Sequence, residues 1–219
     1  MSDFLPCVEI NPAHATHSIV WLHGLGADGH DFEPIVNELN LNHPIRFIFP
    51  HAPEMSVTVN NGLSMPAWYD ITTAKIDAAQ DEAGIKKSQQ AILALIEREI
   101  ERGIPSNNII LAGFSQGGAI ALHTGLRYEK PLAGIMGLST YLPLVNSVAN
   151  EVSDANKQTP IFLAHGSYDP IIPYPLAVET QATLNKLNYA TELKKYEMEH
   201  SVCVEEVDDI SHWINRVFS

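Results

Sequence analysis

A chain of 219 residues, 45% hydrophobic and 18% charged, is long enough to bury a large core in one domain spanning residues 1–219. A formal net charge of −13 argues against a nucleic-acid partner and against docking on anionic lipid, because both need clustered Lys and Arg. The two cysteines, Cys7 and Cys203, show no metal-ligand or Cys-x-x-Cys spacing and are expected to be buried free thiols in a reducing compartment.

The first residues, Met1 to Pro6, lack the basic stretch and apolar run of a leader, and no segment approaches the ~20 apolar residues of a membrane helix. A cytoplasmic location without stable membrane insertion is therefore expected. A homodimer is expected on base rates alone.

Along the chain, residues 5–10 read as an extra N-terminal strand. Residues 18–22 and 45–49 are short, β-branched or aromatic runs of the kind that form buried strands. Residues 51–70 break the pattern: the segment holds Pro53 and Pro66, has no helical period, and offers only Val57-Thr58-Val59 as a short strand. Loops of that length are uncommon, and they serve as lids or binding loops as often as they merely pack. Residues 81–102 then place Ile85, Ile92, Leu95, Ile96 and Ile100 on one helical face, closed by Gly103 and Pro105.

Strands follow at residues 108–112, 134–138 and 161–164, and the alternating run 191–196 reads as an outer strand with one solvated face. Leu176, Thr180, Leu184 and Leu187 form a further helical stripe. Val204, Val207, Ile210, Ile214 and Val217 form the last one, with Glu205 and Glu206 near its N-terminus, where the dipole favours them. Strands alternating with helices predict a doubly wound α/β domain with a mostly parallel sheet covered on both faces.

Gly113-Phe114-Ser115-Gln116-Gly117 lies between a predicted strand and the helical run 118–126. Gly-x-Ser-x-Gly in that context is a nucleophile turn that projects the serine hydroxyl from a strained backbone. A serine needs a base to take its proton, and a third group to hold the base. In this chain order the acid and then the base follow the serine, on loops after strands.

Of the histidines downstream, His200 sits between the last strand and the last helix. His123 is two turns into the helix that starts at the serine, and His165 and His212 read as packed or surface residues. Asp169 follows the 161–164 strand by a short loop; Asp154 lies in a polar stretch, 151–158, that reads as solvated loop, and Asp208 and Asp209 come after His200, in the wrong order. Ser115, Asp169 and His200 are therefore the expected catalytic residues. The backbone N–H of Gln116 is one expected oxyanion donor. The other is expected from the His23-Gly24-Leu25-Gly26 loop, which lacks the Lys-Ser/Thr of a phosphate loop.

With these residues placed, the chain resembles the acyl-protein thioesterase and carboxylesterase family, also called phospholipase/carboxylesterase, of the α/β-hydrolase superfamily. The segments that carry the resemblance are Leu22-His23-Gly24-Leu25-Gly26, Pro66-Ala67-Trp68-Tyr69-Asp70, Gly113-Phe114-Ser115-Gln116-Gly117-Gly118, Leu138-Ser139-Thr140-Tyr141-Leu142-Pro143, His165-Gly166-Ser167-Tyr168-Asp169-Pro170 and His200-Ser201.

The resemblance implies an α/β-hydrolase fold and a cofactor-free, metal-free serine esterase acting on acyl esters or thioesters of small molecules, lipids or proteins. It also implies Leu25 and Gln116 as the oxyanion N–H donors. Family members often carry Trp where this chain has Tyr141, so acyl-chain length is left open. Leu63, Met65, Trp68, Ile71, Ile171 and Ile172 are candidate acyl walls, each equally a core residue. The rival from another class is a non-catalytic binding module on a hydrolase fold, against which the complete triad argues.

Overall fold

The computed structural model describes residues 4–73 and 80–219. Residues 1–3, on which the reading of a leaderless start partly rests, lie outside it. Seven strands form one sheet: β1 (Cys7–Ile10), β2 (His17–Leu22), β3 (Ile45–Pro50), β6 (Ile109–Phe114), β7 (Gly134–Leu138), β8 (Ile161–Gly166) and β9 (Thr191–Tyr196). Their spatial order is β1-β3-β2-β6-β7-β8-β9, parallel throughout except for β1, which runs antiparallel to β3 at one edge. The hairpin β4 (Glu54–Val57) and β5 (Leu63–Pro66) stands apart as a second, two-stranded sheet. The helices are α1 (Glu82–Glu101), α2 (Gln116–Arg127), α3 (Val145–Glu151), α4 (Tyr174–Lys186) and α5 (Val204–Val217).

The two faces of the sheet follow from the period of two along each strand. Val20, Leu22, Ile48, Leu111, Ile135 and Leu163 point to one side and pack against Ile85, Ile92, Leu95 and Ile96 of α1, Ile120 of α2 and Leu184 of α4. Their chain neighbours Ile19, Trp21, Phe47, Phe49, Ile110, Met136 and Phe162 point to the other, where Ile210, Trp213 and Ile214 of α5 cover them. Central strands buried on both faces are continuous apolar runs for this reason. β9, at the edge, is only half-buried along most of its length, as its alternation predicts.

Four expectations change. Residues 51–70 are an ordered hairpin rather than a loop with a strand at 57–59: Val57 pairs with Leu63, and 58–60 turn in one 3-10 turn. Asn61 and Gly62 follow with φ of 55° and 75°, the left-handed backbone that Asn-Gly adopts most readily, so the hairpin signal was in the sequence. Val204 does not join the buried stripe of α5 and is 75% exposed. Both cysteines are half-buried free thiols rather than fully buried ones. The polar stretch 151–158 is not wholly solvated either, because Asn156 is buried and bonds Leu132 N–H and the carbonyls of Tyr128 and Lys130.

The buried face of α5 also contains a carboxyl. Glu206 is fully buried, and neither of its oxygens makes a well-formed hydrogen bond among the described residues. Burial pushes it from 4.5 up to about 8, with the Cys203 N–H opposing and Asp209 adding to the shift. Between those two values the folded protein holds a proton that the unfolded chain has released, so stability falls as pH rises through that window. Glu206→Gln is expected to flatten this slope, which amounts to a few kcal/mol. Urea midpoints at pH 5 and pH 8 check it; an unchanged slope in the variant assigns the pH dependence elsewhere.

Candidate active site

The parallel registers align Leu22 with Gly113, Phe114 with Leu138, Leu138 with Ala164, and Gly166 with Tyr196. The loops that follow β2, β6, β7, β8 and β9 therefore leave from one edge of the sheet, the carboxyl edge, where parallel α/β folds place their sites. Leu25, Ser115, Asp169 and His200 lie on these loops, and Gln116 opens the helix that follows Ser115.

Ser115 is the single residue between β6 and α2, with φ 54° and ψ −121°. This conformation costs an L-residue on the order of 1–3 kcal/mol and persists only when its neighbours hold it. Here Ser115 N–H donates to Leu138 O (2.8 Å), while Thr140 Oγ1 donates to Ser115 O (2.7 Å). The flanking glycines serve close approach: a Cβ on Gly113 would run into the backbone of Gly117, and one on Gly117 into the carbonyls of Leu22 and His23.

His200, on the loop between β9 and α5, places Nε2 2.9 Å from Ser115 Oγ and Nδ1 2.7 Å from Asp169 Oδ2. The Phe114 ring packs on its imidazole at 4.8 Å between centroids. The Asp169 carboxylate is fully buried. Its Oδ1 accepts the N–H groups of Ile171 and Ile172, both at 2.8 Å, so the turn across Pro170 fixes its plane and leaves Oδ2 for His200.

The other candidates lie elsewhere. His123 is buried in α2 beside Gln89, and burial with Arg127 nearby pushes it down to about 3, so it is neutral. His212 and Asp208 are exposed on α5, Asp154 is exposed, and Asp209 binds the Tyr196 hydroxyl. His165 is packed, as expected, but against Asp169 itself, with Nε2 3.3 Å from Oδ2.

Gln116 is the first residue of α2, so its N–H has no carbonyl of the helix to bind. Among the described residues neither it nor the Leu25 N–H donates a backbone hydrogen bond. The His23 imidazole orients the Leu25 donor. Its Nε2 accepts the Ala52 N–H (3.1 Å), which leaves the proton on Nδ1, 2.7 Å from Gly24 O. In a trans peptide C=O and N–H point in opposite directions, so holding Gly24 O sets the direction of Leu25 N–H. Burial lowers His23 from 6.5 and keeps this neutral form.

Trp68 links the two donor loops. Its indole N–H binds His23 O (2.9 Å), its backbone N–H binds Gln116 Oε1 (2.8 Å), and Gln116 Nε2 binds Tyr69 O (2.8 Å). Sequence reasoning missed these roles of His23, Trp68 and the Gln116 side chain. Only the motif segments containing them gave a signal.

Of the six candidate acyl walls, Trp68 and Ile172 are interior residues, Met65 and Ile71 are half-buried, and Leu63 and Ile171 are largely exposed. The Tyr141 hydroxyl pairs with that of the buried Tyr69 at 2.8 Å. Among the described residues no cluster of His, Cys, Asp and Glu is arranged to hold a metal ion, and no helix is long and apolar enough to cross a membrane.

The family model described as phospholipase/carboxylesterase matches residues 5–218. Acyl-protein thioesterase 1 of Neurospora crassa is 40% identical over 218 residues, covering 94% of this chain and 89% of that protein. Acyl-protein thioesterase 1 of Yarrowia lipolytica is 39% identical, covering 96% of each. The crystal structure of SOBER1 from Arabidopsis thaliana superposes with a TM-score of 0.88 at 32% identity, covering 93% of this chain and 99% of that one.

Proposed function

Since this chain belongs to the phospholipase/carboxylesterase family of ester and thioester hydrolases, with an α/β-hydrolase fold, we propose that it works through Ser115, His200 and Asp169 by way of an acyl-enzyme. The observation that carries the reading is the unbroken chain of contacts from Ser115 Oγ to His200 Nε2 (2.9 Å) and from His200 Nδ1 to Asp169 Oδ2 (2.7 Å). Ser115 attacks the acyl carbon as His200 takes its proton, and Asp169 stabilises the imidazolium through the Nδ1–H it already holds. The tetrahedral oxygen is received by the N–H groups of Leu25 and Gln116, donors already oriented before substrate arrives. His200 then returns its proton to the departing alcohol or thiol, and a water molecule deacylates the serine by the same route.

The proposed substrates are acyl thioesters, including acylated proteins, a reading supported by the names of the curated relatives. A cytoplasmic site of action goes with it, supported by two free cysteines. Hydrolysis of acyl thioesters and p-nitrophenyl esters from acetyl to palmitoyl tests the proposal. A kcat/KM that favours thioesters is expected, and its dependence on chain length reads the reach of the acyl site. A preference for acetyl and butyryl esters makes it a small-ester carboxylesterase instead. Inertness of the folded protein toward the whole series favours the binding-module reading.

A further inference from the structure

We propose that His165 is a positioning residue for the acid of this site: by bonding Ile172 O through Nε2–H, beside Oδ2 of Asp169, it holds the turn and its carboxylate in the orientation that His200 requires. The proposal rests on the roles of Ser115, His200 and Asp169 given above and adds one residue to them. His165 is the penultimate residue of β8, and its side chain is as buried as the Asp169 carboxylate it faces. Its Nε2 lies 2.7 Å from Ile172 O and 3.3 Å from Asp169 Oδ2. A carbonyl oxygen only accepts, so Nε2 carries the proton and donates it to Ile172 O, with Asp169 Oδ2 beside that bond at 3.3 Å.

Two imidazoles thus converge on Oδ2, His200 at 2.7 Å and His165 at 3.3 Å, while Oδ1 is occupied by the Ile171 and Ile172 N–H groups. His165 grips the turn at the carbonyl of Ile172, three residues beyond Asp169, and touches the carboxylate beside it. The groups that face its ring are Asp169, His200 and the edge of Tyr174 at 6.0 Å. Burial lowers His165 from 6.5, against the opposing pull of Ile172 O and Asp169. Its neutrality matters, because a second cation at Oδ2 would oppose the positive charge that His200 must accept. The bond to Ile172 O acts on His200 because the turn it anchors supplies both N–H groups that fix the Asp169 carboxylate.

The test compares wild type, His165→Phe and His165→Gln in Ser115-dependent ester hydrolysis, reading kcat, KM and the pH profile of kcat/KM. Phe keeps the ring and removes the donor, whereas Gln returns an N–H near the Nε2 position. His165→Phe is expected to lower kcat by up to about 10²-fold at unchanged KM. Its acid limb should move to higher pH, because a carboxylate relieved of a neighbouring N–H dipole attracts the imidazolium more strongly. His165→Gln should restore most of both. A Phe variant with wild-type kcat, or one whose loss leaves the acid limb in place and is not relieved by Gln, overturns the proposal and leaves a packing role.

If the Phe variant does not fold, ¹⁵N-imidazole NMR of the wild type decides: at pH 7 and above His165 must be neutral with its proton on Nε2, and a proton on Nδ1 there overturns the proposal. Wild-type hydrolysis that survives Ser115→Ala would instead overturn the underlying serine mechanism, an outcome distinct from any behaviour of His165.

Discussion

Ser115→Ala is expected to lower kcat on the order of a millionfold while leaving the protein folded and able to bind substrate. The substitution removes one oxygen whose hydrogen-bond partner is His200 Nε2. Everything that sets the turn is backbone or belongs to other residues: the Ser115 N–H bond to Leu138 O, the Thr140 bond to Ser115 O, and the bare Cα atoms of Gly113 and Gly117. Alanine meets the positive φ at the same cost as serine, so thermal stability should change by about 1 kcal/mol or less. A residual acceleration of about 10³–10⁴ over water is expected from the oxyanion donors and binding alone. Stopped-flow release of p-nitrophenol supplies a second readout, in which the acyl-enzyme burst of the wild type disappears. A variant that keeps more than a few per cent of kcat would remove Ser115 from the mechanism.

Asp169→Asn is expected to cost about 10⁴-fold in kcat with little change in KM, and the geometry explains why an isosteric change costs so much. Two backbone N–H groups, from Ile171 and Ile172, point at the Oδ1 position. An asparagine turns its carbonyl oxygen to them, since facing them with its amide would leave buried donors opposed. The NH₂ then occupies the Oδ2 position and donates to His200 Nδ1. His200 is forced to carry its proton on Nε2, the atom that must receive the proton of Ser115. His165 Nε2–H also faces Oδ2, which favours the carboxylate over the amide further. NMR of the His200 imidazole would show the exchanged tautomer directly. Near wild-type kcat in a folded Asp169→Asn protein would mean that Asp169 does not orient the base.

Both predictions concern residues recognisable from sequence, for a physical reason. A sharp strand-to-helix turn needs glycines where helix, strand and neighbouring strand meet too closely for a Cβ, so Gly113 and Gly117 mark it in the chain. Parallel strands place their following loops on one edge, so the order serine, acid, base along the chain translates into proximity. The central strands were legible because burial on both faces leaves almost no polar positions. The hairpin at 54–66 was less so: its strands are short and exposed, and its one clear signal, Asn61-Gly62, sits in a segment without alternation.

What the sequence determined by itself was the α/β alternation, the strained turn at Ser115 and the pairing of residue types able to move a proton, because these depend on local backbone chemistry and apolar period. Only the tertiary structure decided which groups share an oxygen or a proton. That Gln116 is clamped through its side chain to Trp68 and Tyr69, that His23 sets the direction of the Leu25 N–H, and that His165 joins His200 at Asp169 are contacts between loops or across a turn. No local pattern encodes them. They follow from sheet register and close packing, which bring residues 29 to 48 positions apart within hydrogen-bonding distance.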